Sequence, residues 1–413
     1  IGNDRSEPVT VLGPDGMTPL QGIVAVAAGR THSLALRDDG TLWAWGYAAH
    51  GQLGGNQGMG AGFTGTDPVG SPIHYVPFAV PVYGLPNFVA VAAGDAHSLA
   101  LDTNSMVFAW GHNQWGALGD GTSDNRWMPS PVLHPSGGVL FGISVIGAGH
   151  FHSLAANASG DLYAWGKNEY GALGDMNHPI DASLPTAVLD ESGQQITNIV
   201  DVDGGYQHSI ALDSSGTVFV WGDNYWGQLG NDTMDKTLSH DQQTQDFATA
   251  LTGTTVGVLP NQDIDAFPAV DVDAGADHSL VVTGSDQSPG CNSIFSFGWG
   301  TLGQNGNGQA SERDYVPVES TQSLIGHRIT SVSAMGSHSV LLSAWEPYGG
   351  CGSAPPGTPG VGSVHTWGDN RLGQLGIGEG SGLPPCTLGL QSVACETTTN
   401  LVLALSNAVA LPN

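Results

Sequence analysis

The sequence predicts an all-β protein, a seven-bladed β-propeller of four-stranded blades. Three observations carry this: one motif recurs along the chain, each copy alternates with the period of a strand, and the two chain ends complement each other. Residues 27–54 read "AAGRTHSLALRDDGTLWAWGYAAHGQLG", and 92–119, 147–174 and 203–230 repeat this 28-residue pattern without a gap. A fifth copy from Asp273 is 34 residues long and a sixth from Ser333 is 44. The six copies start 55 to 70 residues apart, the span of four short strands plus connections.

Within a copy, "VAVAAG", "HSLAL" and "TLWAWG" each alternate at period two and are separated by Asp/Ser/Gly turns, which marks three strands. A fourth follows the "GQLG" loop, as in "SPVLHPSGG" and "VPVEST". No stretch has a helical period. A truncated seventh copy, 393–405, stops without "WG" or "GQLG", whereas the chain opens on "EPVTVLGPDG", which resembles an orphan fourth strand. The expectation is a single domain over 1–413, with residues 1–20 forming the outer strand that completes the last blade, so that no edge stays unpaired.

Nine Lys and Arg stand against 37 Asp and Glu, a net charge of −28, and Lys167 and Lys236 are the only lysines. That balance argues against nucleic acid, whose phosphates require basic clusters, and against an anionic membrane surface. No run is long and apolar enough to span a bilayer. The start at Ile1, without an initiator Met or an apolar leader, reads as a processed mature protein or an engineered expression form. Four cysteines, Cys291, Cys351, Cys386 and Cys395, match no zinc spacing and suit two disulfides, hence a secreted, extracellular or cell-surface setting. Cys291 and Cys351 fall in inserted turns between the second and third strands of copies five and six, so an inter-blade bond between them is expected, leaving Cys386 with Cys395. Asn157-Ala-Ser and Asn231-Asp-Thr are formal glycosylation sequons.

Six histidines, His32, His97, His152, His208, His278 and His338, occupy one repeat position, with Thr399 in the seventh copy. Metal ligands must converge within about 2.0–2.1 Å of one ion, whereas these residues lie on separate blades. They are read as structural hydrogen-bonding groups, with no metal and no cofactor. Each is followed by Ser, but neighbours on a strand point to opposite faces, so no base–nucleophile pair forms and no catalytic residue is assigned. The Asp-bearing loops "GDGTSDN" and "GNDTMDK" lack the spacing of a cation loop and read as solvated turns. One face remains for recognition: the loops after the third strands carry His50, Trp115, Tyr170 and Trp226 at one repeat position, with Tyr47, Tyr225 and Trp299 nearby. The long connections at 55–88 and 231–268 are further insertions on the scaffold.

With "AGxxHSLAL" and "WGxNxxGQLG" in register six times, the sequence resembles the regulator of chromosome condensation repeat family. The resemblance implies a seven-bladed propeller serving as exchange factor, enzyme inhibitor or interaction platform, and the chain is read as a bacterial-type secreted member. The eukaryotic founding member, a guanine nucleotide exchange factor, binds chromatin through a basic tail; the first ten residues here, "IGNDRSEPVT", carry one Arg. Its exchange wedge is a hairpin in one blade, and the third blade here has the tight turn "NASG" instead. The expected function is a non-enzymatic recognition or structural module for a protein or glycan. The alternatives are a secreted enzyme inhibitor of the β-lactamase-inhibitor propeller type, a self-assembling surface subunit, a polysaccharide-acting enzyme and an exchange factor.

Overall fold

The structure, a computed structural model, describes residues 10–55, 64–66, 72–82, 87–231, 243–251, 268–284, 292–306, 314–319, 327–345, 363–369, 385–388 and 391–401. These residues form antiparallel sheets of the propeller-blade type, and they contain no helix. The chain divides into two compact units, Thr10–Ser209 with Gln245–Thr249 and Ile210–Thr244 with Ala250–Asn413, setting aside residues 1–9.

In the first unit, strands Ile23–Ala28, His32–Arg37, Leu42–Tyr47 and Pro72–Pro81 make the first sheet, extended by Thr64–Thr66. The second sheet comprises Phe88–Ala93, His97–Asp102, Val107–Gly111 and Arg126–Pro131, and the third Ile143–Ala148, His152–Asn157, Leu162–Gly166 and Ala182–Ala187. The strands of the fourth, Ile199–Gly204, His208–Asp213, Val218–Asp223 and Thr244–Ala250, are divided between the units. In the second unit lie the fifth, Ala269–Ala274, His278–Thr283, Ser293–Gly298 and Asp314–Glu319, and the sixth, His327–Met335, His338–Trp345, Ser363–Asp369 and Gln391–Leu401 with Pro385–Leu388 at its edge.

The blade count is therefore six among the described residues, not the seven that the copies suggest. Residues 391–401 are the fourth strand of the sixth sheet, pairing His365 with Leu401 and Gly368 with Glu396, so the truncated seventh copy and its Thr399 are absorbed there. Period-two alternation marks a strand without marking its slot in a sheet. In the opening segment, residues 10–20 are described. Leu12 bridges Pro19, and its carbonyl accepts from the Ala79 amide in the fourth strand of the first sheet. Of residues 1–20, expected to complete the last blade, 1–9 lie outside the described residues.

Apolar residues of neighbouring sheets share clusters within each unit. Leu34, Leu36 and Leu42 of the first sheet pack with Phe88, Phe108 and Trp110 of the second; Leu99, Leu101 and Val107 of the second pack with Ile143 and Trp165 of the third. In the second unit, Leu280, Val282 and Ile294 meet Ile329, Leu341 and Trp367. At the start of the first sheet Val24 and Val26 are 63% and 71% exposed and Trp45 is half-buried, whereas Trp110, Trp165 and Trp367 are fully buried.

The first strands also differ along the chain. Sheets one and two have Ala25, Ala27, Ala90 and Ala92 where the fifth has Asp271 and Asp273. Those two carboxylates accept the amides of Val332 (3.0 Å) and Ala334 (2.7 Å) in the sixth sheet, a polar seam in place of an apolar one.

Candidate functional site

The repeat's second strand begins with His-Ser, and antiparallel register sets that Ser opposite the Trp of the third strand: Ser98 faces Trp110 and Ser153 faces Trp165. A shift in register after Ala109, and likewise after Ala164, carries each Trp past the fourth strand. Both members of the pair then donate to one carbonyl of the preceding sheet's loop. Ser98 Oγ and Trp110 Nε1 reach the Gln52 carbonyl, each at 2.9 Å, and Ser153 and Trp165 reach that of Ala117, each at 2.8 Å. In the second unit, Ser339 (3.1 Å) and Trp367 (2.7 Å) share the Gln304 carbonyl.

The repeat histidine completes the seam. His32 Nε2 lies 2.8 Å from Ser98 Oγ, His97 Nε2 3.0 Å from Ser153, His152 Nε2 2.8 Å from Ser209, and His278 Nε2 2.8 Å from Ser339. Because Ser98, Ser153, Ser209 and Ser339 each spend their one proton on a carbonyl, the imidazole must donate from Nε2, which leaves Nδ1 bare. Burial holds these rings neutral, lowering His32 to about 4 and His97, His152 and His278 to about 3. The glycine three residues before each histidine makes room for its ring: a Cβ on Gly94 would come within 2.2 Å of His97 Cε1. Among the described residues no three His, Cys, Asp or Glu side chains group as a metal site.

Inside the loop a buried Asn sets the turn. Asn113 Oδ1 accepts the Leu118 amide (2.9 Å), while its Nδ2 donates to the carbonyls of Thr122 (3.0 Å) and Asp124 (3.1 Å) and to Asp120 Oδ1 (3.3 Å). Arg126 Nε donates to Asp120 Oδ2 at 2.6 Å. Burial works to raise the Asp120 carboxyl, but hydrogen bonds from Thr122 and Arg126 outweigh it and hold the pKa down. The oxygens of "GDGTSDN" thus already face an amide and a guanidinium. Of "GNDTMDK", Asp232–Lys236 lie outside the described residues. Gly119 closes the loop at positive φ (63°), and a Cβ there would fall 2.8 Å from Trp165 Nε1.

The remaining loop positions turn outward. In the first unit a run of rings connects loops and turns of the first four sheets: Tyr47 to His50 (centroids 6.0 Å), His50 to His112 (4.7 Å), His112 to Trp115 (5.3 Å), Trp115 to Phe151 (4.6 Å) and Phe151 to Tyr206 (5.7 Å). His150 packs on Tyr206 at 4.7 Å. Burial lowers His150 to about 4, with the nearby Arg30 adding to the effect, and lowers His112. Two ion pairs border the run: Arg30 with Asp95 (3.7 Å), and Lys167 with Glu169. Burial raises the Asp95 carboxyl against the pull of Arg30 and His50. Lys167 Nζ stands over Trp115 (5.2 Å to the centroid) and Phe151 (5.6 Å). In the second unit Tyr225 meets Trp226 (4.9 Å), and Trp226 meets Trp299 (5.7 Å).

Among the aromatic candidates, Tyr47 contacts His50, Tyr225 contacts Trp226, and Trp226 contacts Trp299. Trp115 joins His50 through His112, and Tyr170 is half-buried at the same repeat position. Sequence reasoning missed His112, Phe151, Tyr206, His150 and Lys167. The missed signal is pairing: the amides of Tyr47, His112 and Lys167 donate to the carbonyls of Thr31, Ala96 and Phe151, so each loop lies beside the turn before the repeat histidine. Of the cysteines, Cys291 and Cys351 lie outside the described residues; the backbone hairpin sets Cys386 opposite Val393, two residues from Cys395.

Blades of this kind, stitched loop to strand by a repeated His-Ser-Trp seam, define a repeat propeller that presents variable loops on a constant frame. The RCC1-like domain model matches residues 2–341, and the chain belongs to that family. It is 27% identical over 359 residues to the ultraviolet-B receptor UVR8 of Arabidopsis thaliana, covering 78% of this chain and 74% of the receptor. It is 28% identical over 400 residues to the human E3 ubiquitin-protein ligase HERC2, covering 93% of this chain but 7% of the ligase. Among solved structures, yeast RCC1 (Prp20) bound to Kap60 superimposes with a TM-score of 0.67 at 17% identity, covering 94% of this chain and 77% of that one. Human WBSCR16 gives 0.65 at 20% identity, covering 92% and 82%. These relatives are eukaryotic, and they lend no support to a bacterial-type secreted member.

Proposed function

We propose that the chain is a non-enzymatic module that recognises a protein partner through the aromatic run and its loops, in an extracellular or cell-surface setting. The observation that carries this is the run itself: half-buried rings from three sheets, in mutual contact, on loops whose backbone is held by a buried seam. Aromatic side chains in a pre-organised setting supply large contact area at little entropic cost, the composition of interface hot spots. Relatives of the same family support the reading by what they are: a light receptor, a ubiquitin ligase, and an RCC1 solved in complex with another protein. The extracellular setting rests on the composition alone: two lysines, and four cysteines at no zinc spacing.

The test is a photo-cross-linking residue placed at Trp115 and, as control, at the exposed Phe141, with the labelled protein offered to host extract and to a glycan array. Cross-links to one protein species from position 115 and not from 141 are expected. Glycan binding without a protein partner, or turnover of any substrate in an activity screen, overturns the proposal.

A further inference from the structure

Lys167 sits at the edge of the aromatic run with its side chain 19% exposed. Its ammonium lies over the Trp115 and Phe151 rings, at 5.2 Å and 5.6 Å, and is paired with Glu169, whose side chain is 50% exposed. Two ring faces and a carboxylate converging on one point form a receptor for a cation, because the ring quadrupoles and the carboxylate both favour positive charge there. The second border pair, Arg30 with Asp95, repeats the pattern beside His50 and His150: an exposed cation (Arg30, 64%) held by a carboxylate at the edge of the same run. Burial lowers the pKa of His112 and of His150, so these two rings do not compete as cations near neutral pH.

We infer that the Trp115–Phe151–Glu169 cluster is a cation subsite, held by Lys167 in the free chain, and that its occupant in the complex is a lysine or arginine from a basic segment of the partner protein, which displaces Lys167. The inference rests on the protein-recognition reading above and names the partner's chemistry. Charge complementarity selects this occupant: a chain of net charge −28 attracts a basic segment and repels a second copy of itself. Displacement conserves charge at the cluster, since one ammonium leaves the rings as another arrives.

The test is binding of a decalysine peptide, and of the same peptide acetylated on its side chains, by titration calorimetry at low salt. Decalysine binds the wild-type chain, and the acetylated peptide binds at least ten-fold more weakly. Trp115→Leu weakens binding about five-fold, the cation–π contribution of about 1 kcal/mol, and Glu169→Gln weakens it as well. Lys167→Gln removes the internal occupant and tightens binding about five-fold, whereas Arg37→Gln, which removes the same charge from a turn away from the run, changes it less than two-fold. Thermal melts confirm that each variant is folded. Equal affinity in wild type and Trp115→Leu means diffuse attraction to an acidic surface and overturns the inference, as does failure of decalysine to bind or formation of a homodimer that Trp115→Leu abolishes. If decalysine fails while position 115 still cross-links to a partner protein, the recognition module stands and its partner is not cationic there.

Discussion

One ten-residue loop contains two regions with opposite demands, and the second repeat shows both. On its inner side Asn113, the Ala117 carbonyl, Leu118 and Gly119 are buried and committed to the seam with the third sheet. On its outer side His112 and Trp115 are half-buried and touch mainly other rings. In copies two to four the inner positions keep the same chemistry, Asn113, Asn168 and Asn224 or Leu118, Leu173 and Leu229, while the outer ones change freely, from His112 to Lys167 and from Tyr170 to Trp226. A loop can therefore be rigid in backbone and variable in surface at once, because different residues carry the two tasks.

If that division is right, acid attacks the inner side first and with the largest effect. Unfolded histidines titrate near 6.5 and the seam histidines near 3 to 4, so between those values the unfolded state binds more protons. Stability is full above about pH 6.5 and falls as pH drops, by up to about 1.4 kcal/mol per unit for each such histidine. Melting curves from pH 8 to 4 should show a steep loss below pH 6, shallower in His97→Gln.

Next in size is Trp110→Ala, which empties a fully buried site and should cost about 3–5 kcal/mol in denaturant unfolding. Ser153→Ala should cost about 1–3 kcal/mol, because it strands the His97 Nε2 donor and removes one of the two bonds to the Ala117 carbonyl. Asp273→Ala in the fifth sheet should cost about 1–3 kcal/mol by leaving the Ala334 amide unpaired, whereas the apolar slots at Ala90 and Ala92 have no such bond to lose. Smallest is Trp115→Leu, within about 0.5–1.5 kcal/mol of wild type, the value of its ring contacts. If this variant melts as early as Trp110→Ala, the division between the two sides of the loop fails.

The repeat made the blade legible in the sequence: period-two strands, the "HSLAL" and "WGxNxxGQLG" half-motifs and their spacing correspond to observed strands in copies one to six and to observed loops in copies one to five. Two features were not legible. Copy counting assigned 393–405 to a new blade, yet the sixth sheet lacked a fourth strand and residues 391–401 serve as one, since alternation says nothing about slot. The aromatic set was half legible: His50, Trp115 and Trp226 share a repeat position, but Phe151 and Tyr206 belong to turns, brought alongside by the Lys167 amide on the Phe151 carbonyl and the His150 amide on the Gly205 carbonyl. The aspartates of the fifth sheet were overlooked as well, because "DVDA" keeps the strand period of "VAVAA" while changing how the gap to the next sheet is filled.

The shared carbonyl gives the array a direction. The loop of one repeat supplies a single acceptor, and the next supplies two donors that arrive as a cross-strand pair, Ser98 with Trp110 onto Gln52 and Ser153 with Trp165 onto Ala117. Each repeat is thus a plug at one side and a socket at the other. A copy duplicated or exchanged in frame carries both fittings with it, so the array can change its number and order of repeats, and with them its outer aromatics, without inventing a new joint.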